Sequence, residues 1–156
     1  MAAKKMAIIA TKGALDMAYP PLILASTAAA LGWEVQVFFT FYGLQLLRKD
    51  LSGIAISPIG NPAMPMPVPM PVLVTVLPGM EAMATSMMKA KMKKKGVASL
   101  EELRSVCQEA DVKFIACQMT VDLFDFEKSD FIDGIEYGGA ATFMKFAGET
   151  DVCLFI

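Results

Sequence analysis

Histidine is absent from the 156 residues of this chain. Its absence excludes Ser-His-Asp and Cys-His catalysis, histidine-bound zinc and acid–base chemistry by an imidazole. The three cysteines form no CxxC pair, and their odd number argues against a disulfide framework. Neither a GxGxxG nor a GxxxxGK[ST] phosphate-binding motif is present. We therefore expect no metal and no cofactor, and we look for the chemistry of this chain in its thiols.

A strong positive charge is also lacking, because the formal net charge at neutral pH is −2. No broad basic face is implied, so we expect no nucleic-acid partner. The five lysines between positions 89 and 95 form one local cluster. Such a cluster is typical of a solvated helix end, where cations are favoured by the helix dipole.

No uninterrupted apolar stretch is suited to crossing a membrane, although 55% of the residues are hydrophobic. The uncharged stretch 17–33 is short for a span of ~20 residues, and the stretch 51–80 contains seven prolines. The first apolar run of the chain is too short for the core of a secretory signal. We therefore expect no integral membrane segment and a location in the cytoplasm.

Apolar runs of strand length alternate with helical segments along the chain. We predict strands at 6–11, 33–40, 53–60, 112–118 and 151–156, with a weak strand signal within 129–139. We predict helices that start at Pro20, that cover 79–96, and that cover 99–110 behind a Ser99–Glu102 capping box. The alternation predicts a parallel sheet with helices on both faces, in a single domain over 1–156.

An apolar insertion rich in methionine and proline occupies about 61–80. Alternating proline excludes a helix or a central strand, so we predict an extended, polyproline-like segment. A loop of this length is typically functional or part of an interaction surface. It either contacts a partner or folds back over the core of its own domain, and the sequence leaves both alternatives open.

The three cysteines differ in their expected positions in such a sheet. Cys117 lies at the carboxyl end of a strand and at the start of a helix, where binding sites form and a thiolate is stabilised. Cys107 lies late in the preceding helix, near the opposite edge of the sheet, and Cys153 lies inside the last strand. We predict that the latter two are small buried hydrophobes. A buried strand-end thiol without function remains the alternative for Cys117.

Other residues at the expected site have side chains or backbone groups that suit sulfur or an anion. Lys12, followed by Gly13 in the loop after the first strand, would add positive charge at the same edge. Gln118 and Thr120 would donate hydrogen bonds to a bound anion or sulfur. A Gly138–Gly139 pair before a helix would form an anion-binding nest. Each also has a simple structural interpretation, as a solvated loop, a helix surface or a turn.

Four segments of the chain resemble the DsrE/DsrF-like family over nearly the full length. They are TKGALDMAYPPLILA at 11–25, the methionine–proline segment through LPGMEAM, VKFIACQMT at 112–120, and DGIEYGGAATFM at 133–144. The resemblance implies a three-layer αβα fold. Together with the strand pattern, it leads us to expect a mostly parallel sheet of about five strands in a flavodoxin-like topology.

The resemblance also implies a function and a set of partners. The family cysteine that carries sulfur as a persulfide or thiosulfonate aligns with Cys117, and some relatives use a second cysteine that corresponds to Cys107. Homo-oligomers such as trimers, tetramers or hexamers are implied, together with a partner protein in a sulfur relay. We therefore expect a sulfur carrier or sulfurtransferase, without deciding whether it is an enzyme. The alternatives are a non-catalytic oligomeric module that binds a small anion and an interaction scaffold.

Overall fold

The computed structural model describes residues 2–57 and 72–156 of the chain. The strands are β1 (Lys5–Ala10), β2 (Glu34–Phe39), β3 (Lys113–Cys117), β4 (Glu136–Gly138) and β5 (Val152–Phe155). The α-helices are α1 (Leu15–Ala30), α2 (Met80–Lys94), α3 (Leu100–Glu109), α4 (Gln118–Leu123) and α5 (Ala140–Ala147). Turns of 3₁₀ helix cover Phe41–Leu47, Val72–Val76 and Lys128–Asp130.

The five strands form one sheet in the order β4-β3-β2-β1-β5, and every neighbouring pair is parallel. The prediction of an α/β fold with a parallel sheet and helices on both sides is confirmed. The strand order is not the 2-1-3-4-5 order of flavodoxin. In both sheets, however, the direction in which successive strands are added to the sheet reverses beside β1. Here the reversal lies between β1 and β5, two strands away from the end of β3, where the predicted site lies.

The reversal explains why the helices lie in two layers. Parallel strands are joined by right-handed crossovers, so a connection that runs back across the sheet places its helix on the opposite face. Helices α1 and α3 pack against each other on one face, whereas α5, which leads back to β5, packs on the other. Side chains alternate accordingly along β2, where Val37 faces α1 and α3 while Phe38 faces α5.

Helix α1 begins at Leu15, five residues before the predicted start at Pro20. The early start depends on a contact with a distant segment: the Leu15 amide donates to the carbonyl oxygen of Ala55 at 2.7 Å, and the Asp16 carboxylate accepts from the Ser57 amide at 2.7 Å. These bonds occupy groups at the helix start that would otherwise lack partners. The local sequence contains no sign of this contact, so the prediction was wrong at this end.

The strand predicted at 53–60 is not formed in its described part, residues 53–57. Both edges of β2 are already paired, with β1 and β3, so a strand between them has no place in the sheet. The segment instead bonds to helices: besides the Ala55 contact with α1, the Ile56 amide donates to the Thr85 hydroxyl of α2 at 3.1 Å. Its apolar residues are buried beneath these helices rather than within the sheet.

The apolar insertion at 61–80 falls partly outside the described residues, which resume at position 72. Its described end is not extended, because Val72–Val76 forms a 3₁₀ helix and α2 starts at Met80. The polyproline prediction is therefore wrong for this end. The capping box of α3 is confirmed: the Ser99 hydroxyl accepts from the Glu102 amide, and the Glu102 carboxylate accepts from the Ser99 amide. Among the described residues, no helix is both long enough and apolar enough to cross a bilayer.

Candidate functional site

Cys117 is the last residue of β3 and the N-cap residue of α4. It pairs in register with Gly138 of β4, and its side chain lies on the face of the sheet that α5 covers. The structure thus has Cys117 at the carboxyl edge of the sheet and at the start of a helix, as the sequence indicated. This position brings the sulfur close to backbone amides at the first turn of α4.

Several neutral hydrogen-bond donors lie close to the sulfur of Cys117, although the side chain makes no capping hydrogen bond at the start of α4. Burial opposes ionisation of this thiol, but it is outweighed by the nearby hydroxyl and amide of Thr120. The Thr40 hydroxyl and the Met119 amide add to them, and together they lower the pKa of Cys117 below its ordinary value. A lower pKa raises the fraction of reactive thiolate near neutral pH. Within the part of the chain that the structure describes, the groups that lower the pKa of Cys117 are neutral donors, and no cation is among them.

Thr120 is held in place by a segment distant in the sequence. Its side chain is buried, its hydroxyl oxygen lies 3.2 Å from that of Thr40, and it accepts a hydrogen bond from the Phe41 amide at 3.2 Å. Phe41 adopts a left-handed backbone conformation with a φ of 47°, which is strained for a residue with a side chain. Because the two threonine hydroxyls share one hydrogen bond, only one of them has its hydrogen available for another acceptor such as the sulfur.

Thr40 is a residue of the site that the sequence analysis missed. It directly follows β2, and β2 pairs with β3 up to the match of Phe39 with Ala116. Continuing that register by one residue brings Thr40 beside Cys117. The signal available from the sequence was weak: a hydroxyl side chain directly after a strand that neighbours β3. Using it required the strand order, which the sequence pattern does not reveal.

Cys117 does not face solvent in this conformation. Its side chain is only 5% exposed and packs with Phe38, Ile115 and Phe143. The reason is that α5 returns across this face of the sheet and covers the end of β3. The thiol is thus polarised by its hydrogen-bond donors yet shielded from solvent, and a reaction partner must displace part of its cover.

Two of the predicted glycines lie directly beside Cys117. Gly138 is its partner in the neighbouring strand, and Gly139 is the N-cap residue of α5. A Cβ added at Gly138 would lie 3.3 Å from the Cβ of Thr142, so this position is tightly packed. A Cβ added at Gly139 would meet no atom within 4 Å. The start of α5, whose first amides lack partners within the helix, therefore adjoins the strand end that carries the thiol.

The other predicted site residues lie further from the sulfur. Lys12 is exposed and follows β1, which is two strands away from β3, and it is not among the groups that lower the pKa of Cys117. Gly13 allows a close backbone approach, since a Cβ there would collide with the carbonyl oxygen of Tyr42. It lines a cleft of about 370 Å³ that does not include Cys117. The Gln118 side chain donates to the Asp122 carboxylate at 2.7 Å.

The two other cysteines occupy contrasting positions. Cys107 is fully buried between α1 and α3, on the face of the sheet opposite to Cys117, and its thiol donates to the carbonyl oxygen of Leu22 at 3.4 Å. Burial raises the pKa of Cys107 to about 11. The prediction of burial is confirmed for Cys107 but wrong for Cys153, which is exposed. Cys153 lies in the edge strand β5, beyond the part of the sheet that α5 covers.

Clusters of three or more side chains able to hold a metal ion do not occur within residues 2–57 and 72–156. The groups that converge at Cys117 are hydroxyls and backbone amides, which are hydrogen-bond donors and not typical ligands for a transition metal. The arrangement suits a thiolate, a persulfide or a small anion.

Comparisons with known proteins agree with this fold. Residues 2–155 match the DsrE/DsrF/DrsH-like family. The chain is 69% identical to the sulfur carrier protein DsrE2 of Allochromatium vinosum, over 100% of both chains. It is 34% identical to the uncharacterized protein YrkE of Bacillus subtilis, over 98% of this chain and 97% of the other.

A solved structure shares the fold. The crystal structure of the ychN protein from E. coli matches with a TM-score of 0.55 at 12% identity, over 98% of this chain and 99% of that one. At that identity the likeness concerns the fold alone. Because the family match spans almost the whole chain and the relative from Allochromatium vinosum is similar from end to end, this chain belongs to the DsrE/DsrF/DrsH-like family.

Proposed function

We propose that this protein is a sulfur carrier that accepts a sulfane sulfur on Cys117 and passes it to the thiol of a partner protein. The observation that supports this most is the position of Cys117 at a strand end and helix start, among hydroxyl and amide donors that lower its pKa. The end-to-end similarity to a protein named as a sulfur carrier points the same way. Sulfur transfer between thiolates requires neither histidine nor metal, in keeping with the composition of the chain.

The transfer step is an exchange at sulfur. The Cys117 thiolate attacks the outer sulfur of a donor persulfide R–S–SH and forms a new S–S bond. The S–S bond of the donor breaks, and its electron pair leaves on R–S⁻. Cys117 then carries the persulfide, and attack on its outer sulfur by an acceptor thiolate regenerates Cys117 with no net oxidation or reduction. A thiol of lowered pKa is favoured both as attacking thiolate and as leaving group in the second step.

The buried position of the sulfur fits a carrier that protects its cargo. A persulfide exposed to solvent reacts with any passing thiol or oxidant, whereas one beneath α5 is accessible only when part of the cover moves. The proposal therefore requires that the cover over Cys117, which is 5% exposed, opens when the donor or acceptor arrives. The adjoining start of α5 at Gly139 would favour the negative charge of a persulfide or thiosulfonate.

Mapping of sulfur adducts by mass spectrometry tests the proposal. The protein is incubated with thiosulfate, tetrathionate or polysulfide, digested, and the adduct masses are assigned to peptides. We expect adducts on Cys117 that disappear in Cys117→Ser and persist in both Cys107→Ser and Cys153→Ser. A Cys117 that stays unmodified with all three donors, while it still reacts with iodoacetamide, would reject the carrier role.

A homo-oligomer and a cytoplasmic location complete the proposal. The family resemblance supports the oligomer, and so do exposed apolar side chains, which include Phe155 on β5 and Leu73, Val76 and Leu77 before α2. Light scattering on the full chain and on a variant that lacks residues 63–70 tests whether the insertion holds the oligomer together. An unchanged mass would reject that role for the insertion. An odd number of cysteines without CxxC favours a reducing compartment.

A further inference from the structure

An exposed apolar surface borders the Cys117 site. It is formed by Phe41 and Tyr42 after β2, by Met119 and Leu123 of α4, and by Phe124 after α4, and we call it the α4 rim. The side chains of Phe41, Tyr42, Met119 and Leu123 are between 44% and 65% exposed. The ring of Tyr42 stacks on that of Phe124, with centroids 6.0 Å apart and planes 19° apart, so the two segments form one continuous surface.

The α4 rim is built from the same residues that position the thiol. The Met119 amide is one of the donors close to the sulfur of Cys117, while the Met119 side chain is exposed. Likewise the Phe41 amide donates to the Thr120 hydroxyl, while the Phe41 ring contacts Phe124 at a centroid distance of 6.4 Å. A protein that approaches Cys117 along the carboxyl edge of the sheet, beside α4, therefore meets this surface.

The composition of the α4 rim is that of a protein–protein interface. Aromatic residues and methionine are enriched at the centres of interfaces, where tyrosine often contributes strongly to binding. In a chain that binds only a small inorganic donor, these side chains would have no reason to be exposed around the thiol. Their exposure at the carboxyl edge of the sheet, where β3 ends, indicates a macromolecular partner.

Charge further specifies that partner. The segment 122–127, DLFDFE, carries three carboxylates and no lysine or arginine. Asp122, Asp125 and Glu127 are all exposed, beside the apolar side chains of Leu123 and the rings that follow. Two cations adjoin this segment: Arg48 lies over the ring of Phe126 at 5.6 Å, and Lys128 lies over the ring of Tyr137 at 4.8 Å. The three exposed carboxylates outnumber them. An acidic border of this kind favours a basic partner and speeds its approach.

We propose that the α4 rim docks a thiol-bearing partner protein whose cysteine is surrounded by basic residues. This inference rests on the proposed carrier function and names the kind of partner that takes or delivers the sulfur. A second copy of this chain fits less well at the same surface. A symmetric contact through the α4 rim would bring the acidic segments of both copies together, and like charges would oppose it.

The test uses the full chain with Cys107→Ser and Cys153→Ser, so that Cys117 is the sole thiol. Two peptides of equal length carry one cysteine as a mixed disulfide with 2-thiopyridine, next to two leucines. Lysines flank the cysteine in one peptide and glutamates in the other. The Cys117 thiolate attacks the peptide sulfur, forms a disulfide with the peptide and releases 2-thiopyridone, whose absorbance gives the rate.

We expect the lysine peptide to react roughly ten-fold faster than the glutamate peptide at low salt, and the ratio to approach one at high salt. Asp122→Asn, Asp125→Asn and Glu127→Gln together should abolish the preference. The matched control changes three exposed carboxylates on other helices, Glu81→Gln, Glu101→Gln and Glu109→Gln, and should retain it. Equal rates for the two peptides at low salt, or equal effects of the two triple variants, would overturn the proposal.

A second pair of variants tests the apolar side chains of the α4 rim. Leu123→Ala should slow the lysine peptide several-fold, whereas Met144→Ala on α5, which removes a side chain of similar exposure, should not. The small neutral disulfide 2,2′-dithiodipyridine measures the reactivity of Cys117 itself and should react equally with all variants. If docking fails but this reagent and the sulfur donors still modify Cys117, the carrier function stands and only the docking surface is rejected. A loss of oligomer mass in Leu123→Ala would instead assign the α4 rim to a second copy.

Discussion

Cys107 and Cys117 are both buried, yet their surroundings have opposite effects on the thiol. Cys107 lies between α1 and α3, where apolar contacts dominate and its thiol donates to a carbonyl oxygen. Cys117 lies on the other face of the sheet, where hydroxyl and amide donors lie close to its sulfur. The pKa of Cys107 rises to about 11, whereas that of Cys117 is lowered.

The difference shows that burial alone does not decide whether a cysteine is inert. Transfer from water into a protein interior disfavours the thiolate at both positions. At Cys117 that penalty is outweighed because a strand end and a helix start converge there and present several unpaired donors. Late in a helix, as at Cys107, the neighbouring backbone amides are already bonded within the helix and do not stabilise a thiolate.

The largest effect expected from this comparison is a difference in reaction rate with iodoacetamide. At neutral pH the thiolate fraction of Cys107 is about a hundred-fold below that of an ordinary cysteine, given a pKa of about 11 against 9.0. We therefore expect Cys117 to be alkylated at least a hundred-fold faster than Cys107 in the folded protein, as measured by a mass-spectrometric time course. In concentrated guanidinium the two should react alike, and similar rates in the folded state would contradict the comparison.

A smaller effect is expected when the donors at Cys117 are removed one at a time. Thr120→Val should move the pH–rate profile of Cys117 alkylation to higher pH. It should slow the reaction at neutral pH by roughly ten-fold, because a hydrogen bond to a charged group is worth about 1.5–3 kcal/mol. Thr40→Val should act in the same direction. Thr120→Ser keeps the hydroxyl and should restore the profile, whereas a merely structural role of Thr120 would leave the profile unmoved in Thr120→Val.

The stability of the folded protein should also depend on pH in a way that reveals Cys107. Its pKa is raised on folding, so the unfolded chain loses the proton first, and the free energy of unfolding falls as pH rises from about 9 towards 11. At pH 10 the loss relative to pH 8 amounts to about 1 kcal/mol. Urea denaturation of the parent and of Cys107→Ser at both pH values measures it. The decline should be smaller by that amount in the variant, and an identical decline would contradict the raised pKa.

The smallest effect is expected at Lys12. Because hydrogen bonds rather than this cation lower the pKa of Cys117, Lys12→Met should change the alkylation rate less than two-fold at low salt. The same time course with iodoacetamide measures it. A drop as large as that in Thr120→Val would show that Lys12 does supply the positive charge that the sequence suggested.

Much of the architecture could be predicted from the sequence because it depends on local patterns. The apolar runs that became β1, β2 and β3 were recognised, since strands buried on both faces lack polar residues. The Ser99–Glu102 capping box was recognised because both partners lie within one turn. The segment at 53–60 was mistaken for a strand for the same reason: its apolar residues are buried, but under helices.

Only part of the candidate site could be predicted from the sequence. The position of Cys117 at a strand end and helix start follows from its place in the sequence. Its partner Thr40 lies 77 residues earlier in the printed sequence, and only the neighbouring positions of β2 and β3 bring the two together. The exposure of Cys153 could not be read from its apolar strand either, since it depends on β5 being at the edge of the sheet.

By itself, the sequence determined the absence of imidazole chemistry, the alternation of strands and helices, and the start of a helix directly after Cys117. These are properties of composition and of neighbouring residues, which set local backbone preferences. Only the tertiary structure decided which face the sulfur occupies, that α5 covers it, and that Thr40 and Thr120 polarise it. Those outcomes depend on strand order and on crossover direction, which arise from packing between segments far apart in the chain.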